Sequence, residues 1–218
     1  MKKPSPKRIM VIDDHPVVLR GLAAFLDEAE DLRVCAQAED AASALAALND
    51  AKPHLVLTDL FLNGVLAYDL IESIHREHPK VAILVLSVQK EAHYAERALR
   101  AGAGGYIIKE EASQTILAAV RAVLAGETFL SSTVRDRMIH RVESVGEDRL
   151  RSYVCKLSNR ELEIFRLLGE GSFPRKIAAD LGANLRTIET YYARIKKKLH
   201  LRSGVELTRA AIQWRSQL

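Results

Sequence analysis

The chain has 218 residues, 48% hydrophobic and 28% charged, which is long for a single domain of about 100–150 residues and too apolar for a long disordered tail. No apolar run reaches the roughly 20 residues of a membrane span, and the apolar stretch after the basic start Met1–Arg8 is stopped by Asp13 and Asp14, so neither a secreted nor a membrane-embedded protein is expected. Cys35 and Cys155 lack metal-ligand spacing, which speaks against a disulfide framework or a zinc site and fits a reducing, cytoplasmic location.

The net charge of +4 hides an asymmetry. Residues 1–150 carry 18 Lys and Arg against 22 Asp and Glu, whereas residues 151–218 carry 14 against 6. The basic end is the candidate for a polyanionic partner, with a merely solvated basic surface as the plainer alternative.

In chain order, short β-branched runs alternate with longer helical patterns, the signature of βαβ units and a parallel sheet. Strands are predicted at Arg8–Ile12, Arg33–Ala38, Leu55–Thr58, Ala82–Leu86 and Gly105–Ile108. Helices are predicted at Pro16–Ala29, Ala41–Leu48, Tyr68–His78, Glu91–Ala101 and Ser113–Ala125, with Pro16 in a first turn and Gly102 and Gly126 at exits. The implied fold is a doubly wound, flavodoxin-like α/β domain over residues 1–127. Residues 128–154, rich in charge and poor in apolar residues, read as a linker with a short helix.

From Leu157 onward the strand signal disappears, so residues 155–218 are expected to form a small all-helical domain. Ser158 and Glu161 have capping-box spacing, and Gly169 and Gly171 suit the first exit. Ser172 and Pro174 start a second helix that Gly182 ends, Asn184 caps a third through Leu199, and a fourth runs from Gly204 to Trp214. So tight a turn at Gly182-Ala183-Asn184 is a helix-turn-helix arrangement. On the third helix, Ile188, Tyr192, Ile195 and Leu199 form the inward stripe, and Arg186, Thr190, Ala193 and Lys197 the opposite one. That outer face is suited to a DNA groove. Arg186, Thr187, Tyr191, Arg194, Lys197 and Lys198 are candidates for phosphate contacts, and Glu189 and Thr190 for base edges. The Lys196-Lys197-Lys198 run is equally what a helix C-terminus favours through its dipole.

In a doubly wound sheet, ligands gather at the carboxyl ends of strands near the point where strand order reverses. Asp13 and Asp14 close the first strand there and Asp59 the third. Crowded carboxylates repel, which favours a hard divalent cation such as Mg²⁺. Ser87 after the fourth strand and Lys109 after the fifth add a hydroxyl and a cation, a set suited to phosphoryl transfer onto Asp59. Taken singly, each of these residues is also what a solvated loop provides.

These motifs carry a resemblance. VIDDHP at Val11–Pro16, LVLTDL at Leu55–Leu60, ILVLS at Ile83–Ser87 and GYIIK at Gly105–Lys109 resemble the receiver domain of two-component response regulators. LSNRELEIFRLLGEG at Leu157–Gly171, KIAADLG at Lys176–Gly182, RTIETYYARIKKKL at Arg186–Leu199 and LRS at Leu201–Ser203 resemble the LuxR-type DNA-binding domain of the NarL/FixJ class. The resemblance implies that Asp59 is the phosphoacceptor served by a sensor histidine kinase, that Asp13 and Asp14 help to hold Mg²⁺, and that Ser87 and Lys109 contact the phosphoryl group. It also implies that Tyr106 is a switch aromatic, where position alone suggests ordinary packing. A dimer on two half-sites of double-stranded DNA is the expected acting form.

The sequence departs from the family pattern in the loop after Asp59, where Asn63-Gly64-Val65-Leu66-Ala67 replaces a Pro-Gly turn, and at Phe173-Pro174-Arg175 and Glu189. The first departure keeps a second reading open, a DNA-binding regulator whose receiver works without phosphate under a protein or ligand. An aspartyl-nucleophile phosphatase, a third possibility, would carry a second acid two residues after the nucleophile, where this chain has Phe61. A regulator and not an enzyme is therefore expected.

Overall fold

Apolar runs buried over most of their length set the central strands of the first half, and Asp40 caps the second of its helices through the Ser43 N–H. A computed structural model describes residues 5–90, 92–143 and 149–216, and in it the chain divides into two units, Met1–Val142 and Glu143–Leu218. The first unit runs β1 (Lys7–Ile12), α1 (Pro16–Asp27), β2 (Leu32–Ala38), α2 (Ala41–Ala51), β3 (Leu55–Asp59), β4 (Phe61–Leu62), β5 (Val65–Leu66) and α3 (Tyr68–Glu77). It continues with β6 (Ala82–Ser87), α4 (Ala92–Arg100), β7 (Gly105–Ile108), a single 3₁₀ turn (Lys109–Glu111), α5 (Ala112–Leu124), β8 (Phe129–Leu130) and α6 (Ser132–Glu143). Glu91, the expected first residue of the fourth helix, lies outside the described residues.

The main sheet is parallel in the order β2-β1-β3-β6-β7-β8, so strand order reverses between β1 and β3. All five residues of β3 are buried, as expected for a central strand covered on both faces. Ile9, Val11, Leu55, Leu57, Leu84, Leu86 and Ile107 point to one face, where Leu19 and Leu26 of α1 and Ile116, Ala119, Val120 and Val123 of α5 close over them. Helices α2, α3 and α4 pack in series, α2 on α3 and α3 on α4.

Two short elements were not expected. Asn63 and Gly64, at φ 53° and 76°, make a two-residue turn that joins β4 to β5 as an antiparallel hairpin. Asn-Gly is the pair that such a turn favours, because both of its central residues need positive φ. β8 extends the main sheet by pairing Gly105 with Phe129 and Tyr106 with Leu130. α6 then starts under a cap from far back in the chain: Glu111 accepts hydrogen bonds from the Ser132 N–H and hydroxyl, both at 3.1 Å, and from the Thr133 N–H at 3.4 Å. Residues 129–142 of the expected linker are therefore part of the first unit. Residues 144–148 lie outside the described residues.

The second unit contains α7 (Arg149–Val154), α8 (Asn159–Gly169), α9 (Pro174–Asp180), α10 (Leu185–Leu199) and α11 (Gly204–Ser216). Tyr153 of α7 meets His200 edge-on at 4.9 Å, so this end of the expected linker packs within the helical unit. The Ser158 side chain accepts from the Glu161 N–H while Glu161 accepts from the Ser158 N–H, the reciprocal capping box its spacing implied. Asn184 caps α10 through the Thr187 N–H at 2.8 Å, and Gly182 takes positive φ in the turn before it. Phe165 and Trp214 pack 5.7 Å apart in the core between α8 and α11.

Ser158→Ala is expected to lower the stability of the helical unit by about 1 kcal/mol, measured by chemical denaturation of the full chain. Burial raises the pKa of Glu161, but the hydrogen bonds from Lys198 and Ser158 outweigh it and hold the carboxyl below its ordinary 4.5. A carboxyl whose folded pKa is depressed stabilises above its unfolded pKa and loses that contribution as pH falls through its folded pKa. The stability gap between wild type and Glu161→Gln should accordingly narrow on acidification below pH 4.5.

Candidate functional site

Two groups of side chains stand out, one in each unit. In the first, the ends of β1 and β3 bring Asp13 and Asp59 beside Lys109, which opens the 3₁₀ turn after β7. Lys109 Nζ lies 2.8 Å from Asp13 Oδ2 and 2.5 Å from Asp59 Oδ2. Asp13 and Asp59 are buried, while Lys109 keeps a fifth of its side chain in solvent. Burial pushes the Asp59 carboxyl above the usual carboxylate range, against the hydrogen bond and charge of Lys109. For Lys109, burial pulls downward, but the hydrogen bonds and charges of Asp13 and Asp59 prevail and hold the ammonium above its ordinary value.

Asp14 faces a different set of partners. Its Oδ2 accepts from the Asn63 N–H at 2.8 Å, so the β4–β5 hairpin turn is fastened to the pocket. Its buried Oδ1 accepts no hydrogen bond, although His15 Nδ1 lies 2.8 Å away. Candidate ligand atoms of Asp13, Asp14 and His15 all fall within 4.8 Å of one another. Oxygen donors that include a buried orphan carboxylate oxygen fit a hard divalent cation. His15 was not singled out from sequence, although it directly follows the paired aspartates.

Ser87 and Tyr106 are joined to each other through Gln89, which sequence reasoning also passed over. Ser87 is fully buried and its Oγ accepts from the Gln89 N–H at 3.1 Å, while the Tyr106 hydroxyl donates to the Gln89 carbonyl at 2.9 Å. The Tyr106 ring is turned inward and fully buried. A backbone partner carries no side-chain signal, so this link could not be read from residue types.

In the second unit, α10 presents the two faces its periodicity implied. Ile188, Ile195 and Leu199 are buried and Tyr192 is half-buried, its hydroxyl pKa raised by burial. Arg186, Glu189, Thr190, Ala193, Arg194, Lys197 and Lys198 are exposed, and Thr187 and Tyr191 half-buried. The Arg194 guanidinium lies over the Tyr191 ring at 5.7 Å. Lys198 differs from its neighbours: its ammonium is 2.5 Å from Glu161 Oε2 and 3.3 Å from the Lys156 carbonyl oxygen.

Comparison with known proteins finds a separate match in each half of the chain. Residues 9–121 match the response regulator receiver domain, and residues 155–211 match bacterial regulatory proteins of the luxR family. The chain is 30% identical over 206 residues to the response regulator GacA of Pseudomonas protegens, covering 94% of this chain and 95% of that one. It is 32% identical over 194 residues to the transcriptional regulatory protein LiaR of Bacillus subtilis, covering 88% and 90%. Among solved structures it resembles RcsB from Salmonella enterica serovar Typhimurium bound to promoter P1flhDC in the presence of phosphomimetic BeF3⁻, at 25% identity and a TM-score of 0.67 over 95% of this chain and 98% of that one. A structure of two RcsB dimers bound to two parallel DNAs is similar at 25% identity and a TM-score of 0.57, over 94% and 98%.

Proposed function

The chain belongs to the response regulators of the NarL/FixJ class, and on that premise we propose that phosphorylation of Asp59 by a sensor histidine kinase controls how its helical unit binds DNA. It is a DNA-binding transcriptional regulator of the LuxR family and not an enzyme. The observation that carries the switching proposal is the Asp13–Lys109–Asp59 cluster at the strand-order reversal, because it presents a carboxylate nucleophile already paired with a cation.

In the proposed step an Asp59 oxygen attacks the phosphorus of the donor's phosphoryl group. A new O–P bond forms, the donor's N–P bond breaks, and its electron pair leaves with the donor imidazole. Lys109 compensates the charge that accumulates, and Ser87, whose Oγ accepts from the Gln89 N–H, keeps its own O–H to donate to a phosphoryl oxygen. Asp13, Asp14 and Asp59 are the residues that would hold Mg²⁺, whose chemistry is to offset the mutual repulsion of carboxylates and phosphate. Two routes lead away from the pocket. Ser87 and Tyr106 share Gln89, and Lys109 begins the turn whose last residue, Glu111, caps α6.

On DNA, Arg186, Thr187, Tyr191, Arg194 and Lys197 are proposed to contact phosphates, with Glu189 and Thr190 reading base edges. A carboxylate such as Glu189 accepts from the cytosine N4 amine and is repelled by phosphates. The acting form is proposed to be a dimer on two half-sites, in keeping with two-fold DNA geometry and with the RcsB dimers on DNA. No described helix is long and apolar enough to cross a membrane, in keeping with a cytoplasmic DNA-binding protein.

The test is uptake of phosphoryl from acetyl phosphate, followed by intact mass under acid, with Mg²⁺ or with a chelator. One added phosphoryl group only in the presence of Mg²⁺ is the expected result. No uptake under conditions where a control receiver responds would favour the second reading, a receiver that works without phosphate. That reading draws on the hairpin turn, whose Asn63 N–H already occupies one oxygen of Asp14.

A further inference from the structure

We infer that the first turn of α8 is a two-point bracket on the helix-turn-helix, and that Lys198 is a positioning residue held in that bracket and not a phosphate contact. The functional half of this rests on the DNA-binding reading; the geometry does not.

Two adjacent residues make the bracket. Arg160 Nη2 donates to the Leu181 carbonyl at 2.6 Å, and its Nη1 is 2.9 Å from Glu163 Oε2. Leu181 immediately precedes Gly182, which turns the chain with φ +58° between α9 and α10. Glu161 receives Lys198 Nζ at 2.5 Å on the same oxygen that accepts the Ser158 N–H at 2.7 Å. One contact therefore grips the turn that leads into α10, and the other grips the last turn of α10. A helix pinned near both ends has its orientation set, and a recognition helix must be oriented before its side chains can meet a groove.

The contacts are of the kind that resist exchange. Glu161 and Glu163 are each only 3% exposed, so releasing either cation withdraws its charge from a desolvated carboxylate. Lys198 has a third tie, to the Lys156 carbonyl at 3.3 Å, which joins the end of α10 to the segment before α8. Lys197, one residue earlier, is exposed and faces solvent. Of these two consecutive lysines, Lys197 is thus available to a phosphate and Lys198 is engaged by the fold.

The experiment uses the full chain with two readouts. The first is the salt dependence of binding to a fluorescent mixed-sequence duplex. Lys197→Gln should flatten the slope of log affinity against log salt by about 0.9, the signature of one lost phosphate contact. Lys198→Gln should leave that slope at the wild-type value while weakening binding at every salt concentration. The second readout is the melting midpoint of the helical transition. Glu161→Gln and Lys198→Gln should each lower it by about 5 °C, the double variant should fall no further than the worse single one, and Lys198→Arg should recover most of the loss. Independent, additive shifts in the thermal cycle, or a slope for Lys198→Gln that flattens as much as for Lys197→Gln, would overturn the bracket. If wild type binds no duplex, the DNA-binding reading fails and the thermal cycle still decides the bracket.

Discussion

Asp59→Asn is expected to take up no phosphoryl group from acetyl phosphate and Mg²⁺ where the wild-type chain gains one, a complete loss. An amide of the same size carries no anionic oxygen to attack phosphorus, so the substitution removes the chemistry and leaves the shape. The fold should survive it, because Asp59 is desolvated and gives up only one of the two carboxylate partners of Lys109; Asp13 keeps the other at 2.8 Å. Replacing a buried charge that is costly to desolvate is commonly near neutral in stability. Intact mass and the thermal midpoint are measured on the same samples. A labelled Asp59→Asn variant would move the acceptor elsewhere, and an unlabelled variant that has also unfolded would be uninformative about chemistry, which the midpoint detects.

Trp214→Ala is expected to have the largest effect on stability, about 3–5 kcal/mol, confined to the helical unit. Trp214 is 2% exposed and packs against Phe165 between α8 and α11. A single core of this size supplies about 3–5 kcal/mol in total, so the loss is comparable to everything that holds the unit folded. The expected observation is the disappearance of the helical transition in calorimetry while the α/β unit melts as before, together with loss of duplex binding. Retention of the transition with a shift under about 1 kcal/mol would mean that α11 contributes little to this core.

What the sequence revealed, and what it hid, follows from how far each signal reaches along the chain. β3 and β6 were legible because buried parallel strands are continuous apolar runs, and Asp13, Asp59 and Lys109 because strand ends can be counted once the strands are known. The capping box at Ser158 and the caps at Asn184 and Gly182 were legible because their partners are at most a few residues away. β8 was hidden because two residues, Phe129 and Leu130, show no periodicity. For the β4–β5 hairpin the Asn63-Gly64 turn was visible, but not the two-residue strands it joins.

α6 carries only scattered apolar residues, and its cap comes from Glu111. That partner lies outside any local window. Lys198 looked like the others in its run because its partner, Glu161, lies 37 residues away in sequence. In the same way, Gln89 joins Ser87 to Tyr106 with backbone atoms that every residue possesses.

Control of DNA binding by the Asp59 pocket can be read in a single titration. The affinity of the wild-type chain for a promoter duplex is measured at fixed salt with and without beryllofluoride and Mg²⁺, with Asp59→Asn alongside. Beryllofluoride is expected to change the wild-type affinity by a factor of about 5–150, the usual range of coupling between two sites, and to leave the Asp59→Asn affinity unchanged. Equal wild-type affinities in the two conditions, with the duplex bound in both, would contradict it.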